Sequence, residues 1–139
     1  MFAPFRNPAH TYRQLGTETS VSGASAHQLI DMLFDGANEF IVKADDAMAR
    51  GDIATKGESI TRAIRIVDEG LNGALDMSAG EVAENLRSLY VFVSLQLLTA
   101  SRDNDRTRLA VARQTLDEIH GAWKQIAPNQ NTQRELETA

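Results

Sequence analysis

The sequence predicts an all-α fold, an antiparallel four-helix bundle with an additional short helix or arm at its N-terminus. Apolar residues recur at steps of three and four along four long stretches, which is the spacing of one helix face. The three prolines, Pro4, Pro8 and Pro128, lie near the two ends, so no proline ring interrupts these stretches. The connections between the stretches are short, and short connections make successive helices antiparallel neighbours.

Composition limits the chain to a small acidic domain. It has 139 residues, of which 42% are hydrophobic, and this is enough for one core. Its 14 Lys and Arg residues against 19 Asp and Glu residues give a net charge of −5, which argues against a nucleic-acid partner. The lack of cysteine excludes disulfides, thiolate zinc sites and cysteine nucleophiles. No apolar run predicts a signal peptide or a membrane span, so we expect a cytoplasmic protein.

Turn-forming and polar residues divide the chain into three parts. Thr17–Ser25 is rich in Ser, Thr and Gly, so residues 1–24 are expected to form an N-terminal arm and loop. Residues 25–127 carry the helical pattern and are expected to form the bundle. The polar residues 128–139 predict a flexible tail.

Capping residues mark the ends of the first helical stretch. Ser25 and Gln28 have the spacing of a capping box, and Gly51 is a natural helix stop. Asp52 is placed to cap the second stretch, which runs from about Ile53 to Leu75. The predicted core positions are Ala26, Leu29, Ile30, Leu33, Phe34, Ala37, Phe40, Ile41, Ala44, Ala47 and Met48 in the first stretch, and Ile60, Ile64, Val67, Leu71 and Leu75 in the second.

Three glycines lie inside the second stretch, where each costs about 1 kcal/mol relative to alanine. Gly57 is predicted to allow the close approach of a neighbouring helix. Gly70 and Gly73 predict that the second helix frays early.

The third and fourth stretches also begin at recognisable signals. Ser78 has Glu81 at capping-box spacing, which predicts a helix from Ser78 to about Ala100. The fourth stretch follows the polar cluster Asp103–Asp105. Its apolar residues repeat as in a heptad seam, at Leu109, Ala112, Leu116, Ile119, Trp123 and Ile126.

The third stretch carries two apolar stripes on opposite sides. Val91, Leu95 and Leu98 form one stripe, with Phe92 on its flank. A bundle helix needs only one apolar stripe, so the second must be covered or stay exposed. The stripe predicted to face the core consists of Val82, Leu86, Leu89, Val93, Leu97 and Ala100.

Three interpretations of the second stripe are open from the residues alone. The N-terminal arm or another helix covers it, it forms a groove for an amphipathic partner helix, or it is the seam of a homodimer. Met32, Val42 and Ile66 are further apolar positions outside the core stripes of the first two helices. Methionine suits an adaptable binding surface.

No residue pattern predicts catalysis. His120 lies beside the fourth seam and is expected to be packed there. Asp117 and His120 are spaced to share a metal ion, but a ferritin-like di-iron site needs two Glu-x-x-His pairs. Phosphate-binding glycine loops and the nucleophile-elbow motif are missing. We therefore expect no enzyme, and no catalytic, metal-binding or cofactor-binding residue.

A series of short motifs follows one known family pattern in order. Residues 24–37 read ASAHQLIDMLFDGA, and Gly51-Asp52, Leu75-Asp76 and Ala122-Trp123 continue the series. These residues resemble the FliS family of flagellar secretion chaperones, whose opening is close to A-S-P-x-x-L-I-x-M-L-Y/F-D-G. Ala26 replaces the usual proline, which weakens the helix start only slightly.

The resemblance implies a helical bundle that binds the disordered C-terminal segment of flagellin in the cytoplasm. It implies that the bundle keeps flagellin from polymerising early and delivers it to the type III export apparatus. Export-gate components, and a second copy of the free chain, are further expected partners. An N-terminal segment occupies part of the site in this family, and Tyr12 matches its tyrosine.

The sequence and the resemblance together indicate a set of candidate partner-binding residues. They are Tyr12, Met32, Ile66, Val91, Leu95 and Leu98. The alternative is a helical adaptor or regulatory protein that homodimerises through Val91, Leu95 and Leu98.

Overall fold

Four helices make up the part of the chain that the structure describes. A computed structural model describes the backbone of residues 25–138 and the side chains of residues 25–125. The predicted N-terminal arm, including Tyr12, lies outside the described residues. The helices are α1 (Ala26–Arg50), α2 (Ile53–Arg65), α3 (Glu81–Asp103) and α4 (Arg106–Thr138). A π-helical segment, Ile66–Asn72, continues α2, and a 3₁₀ turn, Met77–Ala79, precedes α3.

The helices form a bundle in which α1 and α3 lie diagonally opposite each other. Both α1 and α3 pack beside α2 and α4. Side chains from every helix meet in one core, whose largest fully buried members are Phe34, Ile41, Leu97, Leu109, Leu116, Val67 and Val93. The all-α bundle predicted from the sequence is confirmed. Among residues 25–138, no helix combines the length and the apolar character that a membrane crossing needs.

The predicted ends of α1 are confirmed. The Ser25 Oγ accepts a hydrogen bond from the Gln28 backbone N–H at 3.1 Å, and the Gln28 Oε1 accepts one from the Ser25 N–H at 2.7 Å. Gly51 takes φ 72°, a left-handed conformation that favours glycine, and its N–H donates back to the carbonyl of Met48 at 3.2 Å. Asp52 caps α2 by accepting from the Thr55 N–H at 3.1 Å.

The predictions about Gly57 and Gly70 are wrong, whereas the one about Gly73 agrees with the structure, because helical structure ends at Asn72. A β-carbon on Gly57 would meet no atom within 4 Å, so no helix approaches closely there. At Gly36 on α1, a β-carbon would lie 3.5 Å from the Ile66 Cδ1, which is an ordinary van der Waals contact. Gly70 does not mark a fray, because it is buried within the π-helical segment and helical structure continues to Asn72. The wider helix keeps Val67 and Leu71 in the core.

The predicted start of α3 is also wrong. Ser78 lies inside the 3₁₀ turn, where its N–H and hydroxyl both donate to Asp76, so it does not cap a helix with Glu81. The chain then turns at Gly80, with φ 72° and ψ −128°, and α3 begins at Glu81. Asp76 caps the 3₁₀ turn, and α3 itself begins without a side-chain cap.

The core face of α3 differs from the predicted one at its N-terminal half. Val82 is 65% exposed and Leu89 is also exposed, whereas Ala83 and Tyr90 are buried. The observed core positions step by three and four as in a heptad seam: Ala83, Leu86, Tyr90, Val93, Leu97 and Ala100. Tyr90 fills the core across the bundle from Phe34, with ring centroids 6.4 Å apart. Burial raises the pKa of its phenol.

Helix α4 follows the predicted seam but runs further than expected. Leu109, Ala112, Leu116 and Ile119 are buried, which confirms the seam. The backbone stays helical through Thr138, so the helix does not end before Pro128. The residues beyond Pro128 include good helix formers such as Gln, Glu and Arg. The flexibility of residues 128–139 stays a prediction.

Candidate docking surface on the third helix

Helix α3 carries the largest concentration of exposed apolar side chains in residues 25–125. Six of the eleven large apolar residues that are exposed in this part lie on α3, so the exposure is not scattered over the surface. Leu95 is 55% exposed and Leu98 is 59% exposed. We call the four of these residues on the outer side the α3 face: Val91, Phe92, Leu95 and Leu98. The other two, Val82 and Leu89, lie on the flank of α3 that faces α4.

The crest of the α3 face lies where the sequence predicts the second stripe. Val91, Leu95 and Leu98 follow one another at i, i+4 and i+7, so they line one side of the helix. Val93 and Leu97 are fully buried on the other side. No described element of the chain covers the crest. The helix is therefore apolar both towards the core and away from it.

The flank of α3 that faces α4 is bordered by an exposed apolar side chain of α4. The Arg108 Nη1 donates to the Gln96 Oε1 at 3.3 Å, which fixes α4 against this flank of α3. Val111 follows Arg108 by one turn of α4, and it is exposed. Because the two helices are antiparallel, Phe92 on α3 and Val111 on α4 are placed at the same level. The apolar surface thus extends from α3 towards α4.

A groove borders the opposite flank of the α3 face. It has a volume of about 420 Å³ and is lined by Met77, Glu84, Arg87, Ser88 and Val91. Met77 comes from the 3₁₀ turn and is exposed, so it adds an apolar wall beside Val91. Further along this flank, the Ser94 hydroxyl donates to Asp68 of the π-helical segment.

The structure does not bring Met32 or Ile66 to the α3 face. Met32 is 61% exposed but lies on α1, diagonally opposite α3. Ile66 is half-buried and packs against the core. Val42 lines a separate groove of about 470 Å³ between α1 and α4. The sequence did not lead us to expect exposure of four further apolar residues, Met77, Val82, Leu89 and Val111. For Val82 and Leu89, the heptad register that contains Ala83 and Tyr90 would have predicted it.

Polar side chains hold the seam between α1 and α4 beside that second groove. Arg106 donates to both carboxylate oxygens of Asp45, at 2.8 and 3.1 Å, and these bonds lower the pKa of the Asp45 carboxyl. The Asn38 Nδ2 donates to the Asp117 Oδ1 at 2.7 Å. Asp117 is thereby engaged with α1 and does not form a site with His120.

A histidine cluster joins the start of α1 to α4. The His120 Nε2 donates to the Asp31 Oδ1 at 2.8 Å, and the His120 ring stacks on Phe34 at 4.6 Å. His27 stacks on Trp123 at 4.7 Å and donates to the Trp123 carbonyl at 3.3 Å. His120 is buried, as predicted. In the part of the chain that is described, no group of three or more His, Asp or Glu side chains is arranged to hold a metal ion.

These observations define a class of protein: a small all-α bundle that presents one apolar helix face to its surroundings. Comparison with known families gives the particular one. The family model described as "Flagellar protein FliS" matches residues 8–130. The chain belongs to the FliS family, as the motifs in its sequence indicate.

Relatives from several bacteria support the same assignment. The chain is 43% identical over 123 residues to the flagellar secretion chaperone FliS of Salmonella typhimurium, covering 88% of this chain and 91% of the relative. It is 36% identical to FliS of Escherichia coli over 82% of this chain and 85% of the relative. It is 34% identical to FliS of Vibrio cholerae over 88% of this chain and 90% of the relative.

Proposed function

We propose that this protein is a cytoplasmic export chaperone that binds the C-terminal segment of flagellin. It prevents premature polymerisation of flagellin and delivers it to the flagellar type III export apparatus. Membership of the FliS family supports the chaperone role, and the relatives are themselves called flagellar secretion chaperones. The single structural observation that supports polypeptide binding is the exposed α3 face.

The energetics of binding a disordered segment favour a broad apolar surface. Ordering such a segment costs about 2–5 kcal/mol. Full burial of one leucine or valine side chain contributes about 1.5–3 kcal/mol. Several side chains must therefore be buried together, and the crest residues Val91, Leu95 and Leu98 provide adjacent ones on this side of the interface.

Docking on α3 also accounts for protection against polymerisation. A flagellin segment that folds as an amphipathic helix buries its apolar stripe against the α3 face. That stripe is then withdrawn from contact with other flagellin molecules. Release of the segment at the export apparatus restores its ability to assemble.

The other candidate partner-binding residues have different places in this proposal. Met32 is exposed on α1 and contacts only a partner that extends around the bundle from α3. Ile66 is half-buried and contributes chiefly to the core. Tyr12 lies outside the described residues and remains a candidate from the family resemblance.

Substitution of Leu95 by Asp tests the proposal. A carboxylate at the crest removes apolar contact area and must be desolvated when the partner docks, so we expect binding of the flagellin C-terminal segment to weaken at least about a hundredfold. The measurement is titration calorimetry with the purified chain, with far-UV circular dichroism as the check on folding.

Val42→Asp is the matched control. Val42 is an exposed valine on α1 and faces a groove that Arg106 also lines. We expect Val42→Asp to bind the segment within about twofold of the unmodified chain. If Leu95→Asp and Val42→Asp bind equally well, the α3 face is not the flagellin site.

The same exposed crest also favours the alternative, a homodimerising adaptor. A pull-down with the flagellin C-terminal segment separates the two functions. Absence of flagellin binding together with a dimer that Leu95→Asp dissociates, measured by sedimentation velocity, supports the adaptor and contradicts the chaperone.

A further inference from the structure

The α3 face is bounded at both ends by arginines on the same ridge. Arg87, Val91, Leu95, Leu98 and Arg102 follow one another at steps of four, four, three and four. Residues at this spacing stack along one side of a helix. Both arginines are exposed, like the apolar crest between them.

The stretch between the two arginines carries no charge. Residues 88–101 read SLYVFVSLQLLTAS, without Asp, Glu, Lys, Arg or His. The two arginines are fifteen positions apart, which corresponds to about 22 Å along the helix. The α3 face is thus an apolar strip about four turns long with a cation at each end.

Both arginines are available to a partner. No contact of Arg87 with a carboxylate within the salt-bridge distance is observed among residues 25–125. Arg87 also lines the groove that contains Met77 and Val91. Arg102 donates to both carboxylate oxygens of the adjacent Asp103, at 2.9 and 3.2 Å, so a partner carboxylate must compete with Asp103 for it. Both side chains of this pair are exposed to solvent, which screens their attraction.

The surrounding charges restrict where an acidic partner group can bind. The chain as a whole is acidic, with a net charge of −5, so a carboxylate is attracted only where a cation is locally exposed. Glu84 and Glu81 lie about one and two turns before Arg87 on α3 and repel a carboxylate placed beyond it. Partner segments much longer than the strip are therefore disfavoured in a straight helical form.

We propose that the α3 face selects a partner helix of about four turns that has an apolar stripe and an Asp or Glu side chain near each end. The two carboxylates pair with Arg87 and Arg102 while the stripe covers Val91, Leu95 and Leu98. The proposal rests on the proposed function, in which the partner is the flagellin C-terminal segment. It adds the length and the charge pattern by which that segment is recognised.

Charge reversal at the two arginines tests the recognition pattern. The variants are Arg87→Glu and Arg102→Glu, and the matched control is Arg113→Glu, on the side of α4 that faces α1. The partner is the flagellin C-terminal segment, in its natural form and with its Asp and Glu residues replaced by Asn and Gln. Binding is measured by titration calorimetry at low and high salt.

Arg87→Glu and Arg102→Glu should each weaken binding of the natural segment about threefold to tenfold at low salt. The loss should be smaller at high salt and absent with the neutralised segment. Arg113→Glu should bind both segments like the unmodified chain. Equal affinities of all three variants, or the same loss with the neutralised segment, would overturn the charge pattern.

The companion variant Leu95→Asp separates failure of this inference from failure of the proposed function. If Leu95→Asp abolishes binding but the arginine variants have no effect, flagellin docks on α3 without the charge pattern. If the unmodified chain binds no flagellin, or Leu95→Asp has no effect, the proposed docking on α3 fails and the charge pattern fails with it.

Discussion

At the scale of single residues, the seam between α1 and α4 depends on polar side chains that the sequence does not reveal as partners. Burial of His120 was predictable because it lies beside the α4 seam. Its partner Asp31 is 89 positions away and lies near the start of α1, so only the tertiary fold joins the two. A buried polar group needs such a partner, and here the carboxylate accepts the imidazole N–H.

Replacement of Asp31 by Ala should destabilise the fold by about 1–3 kcal/mol, because the buried His120 donor loses its acceptor. Asp35→Ala is the control, since Asp35 is an exposed residue four positions along the same helix. Urea unfolding followed by circular dichroism gives the free energies of unfolding. Equal stabilities for the two variants would contradict the role assigned to the His120–Asp31 hydrogen bond.

At the scale of helices, capping residues and periodicity predict most ends but not the register of α3. Two sets of apolar residues on α3 satisfy a helical period, one containing Val82 and Leu89, the other Ala83 and Tyr90. Packing decides between them, because Tyr90 fills the space opposite Phe34 in the core. The same limit applies to Ser78, whose capping-box spacing is overridden by the nearer Asp76.

Two glycine substitutions test the backbone description in opposite directions. Gly57→Ala should stabilise the fold by about 1 kcal/mol, since alanine is the better helix former and its β-carbon meets open space. Gly80→Ala should destabilise it by about 1–3 kcal/mol, because φ 72° with ψ −128° is strained for any residue with a side chain. Urea unfolding measures both, and a shift of the two variants in the same direction would contradict the backbone conformations described.

At the scale of the whole molecule, the sequence predicts four helices but not which surfaces share a side of the bundle. Met32 and the α3 crest are both exposed and apolar, yet they belong to helices that lie diagonally opposite. The position of each helix around a bundle depends on tertiary packing. The apolar periodicity within one helix does not determine that packing. The α3 crest itself was predictable, because one helix cannot direct two opposite stripes into the same core.

An exposed apolar crest on α3 distinguishes this molecule from a bundle whose helices are apolar only towards the core. The groove beside Met77 adjoins the crest of α3 at Val91, and Val111 of α4 is exposed beyond the opposite flank. An exposed apolar surface of this kind lowers the solubility of the protein. Binding of a partner that covers the surface removes this cost. The proposed function therefore requires that the partner lie on the α3 side of the bundle.

Methyl NMR spectroscopy of the chain titrated with the flagellin C-terminal segment tests this claim most directly. We expect the methyl signals of Val91, Leu95 and Leu98 to shift or broaden on binding, whereas those of Val42 and Ile53, exposed on other helices, stay unchanged. Perturbation of Val42 or Ile53, with the signals of Val91, Leu95 and Leu98 unaffected, would contradict it.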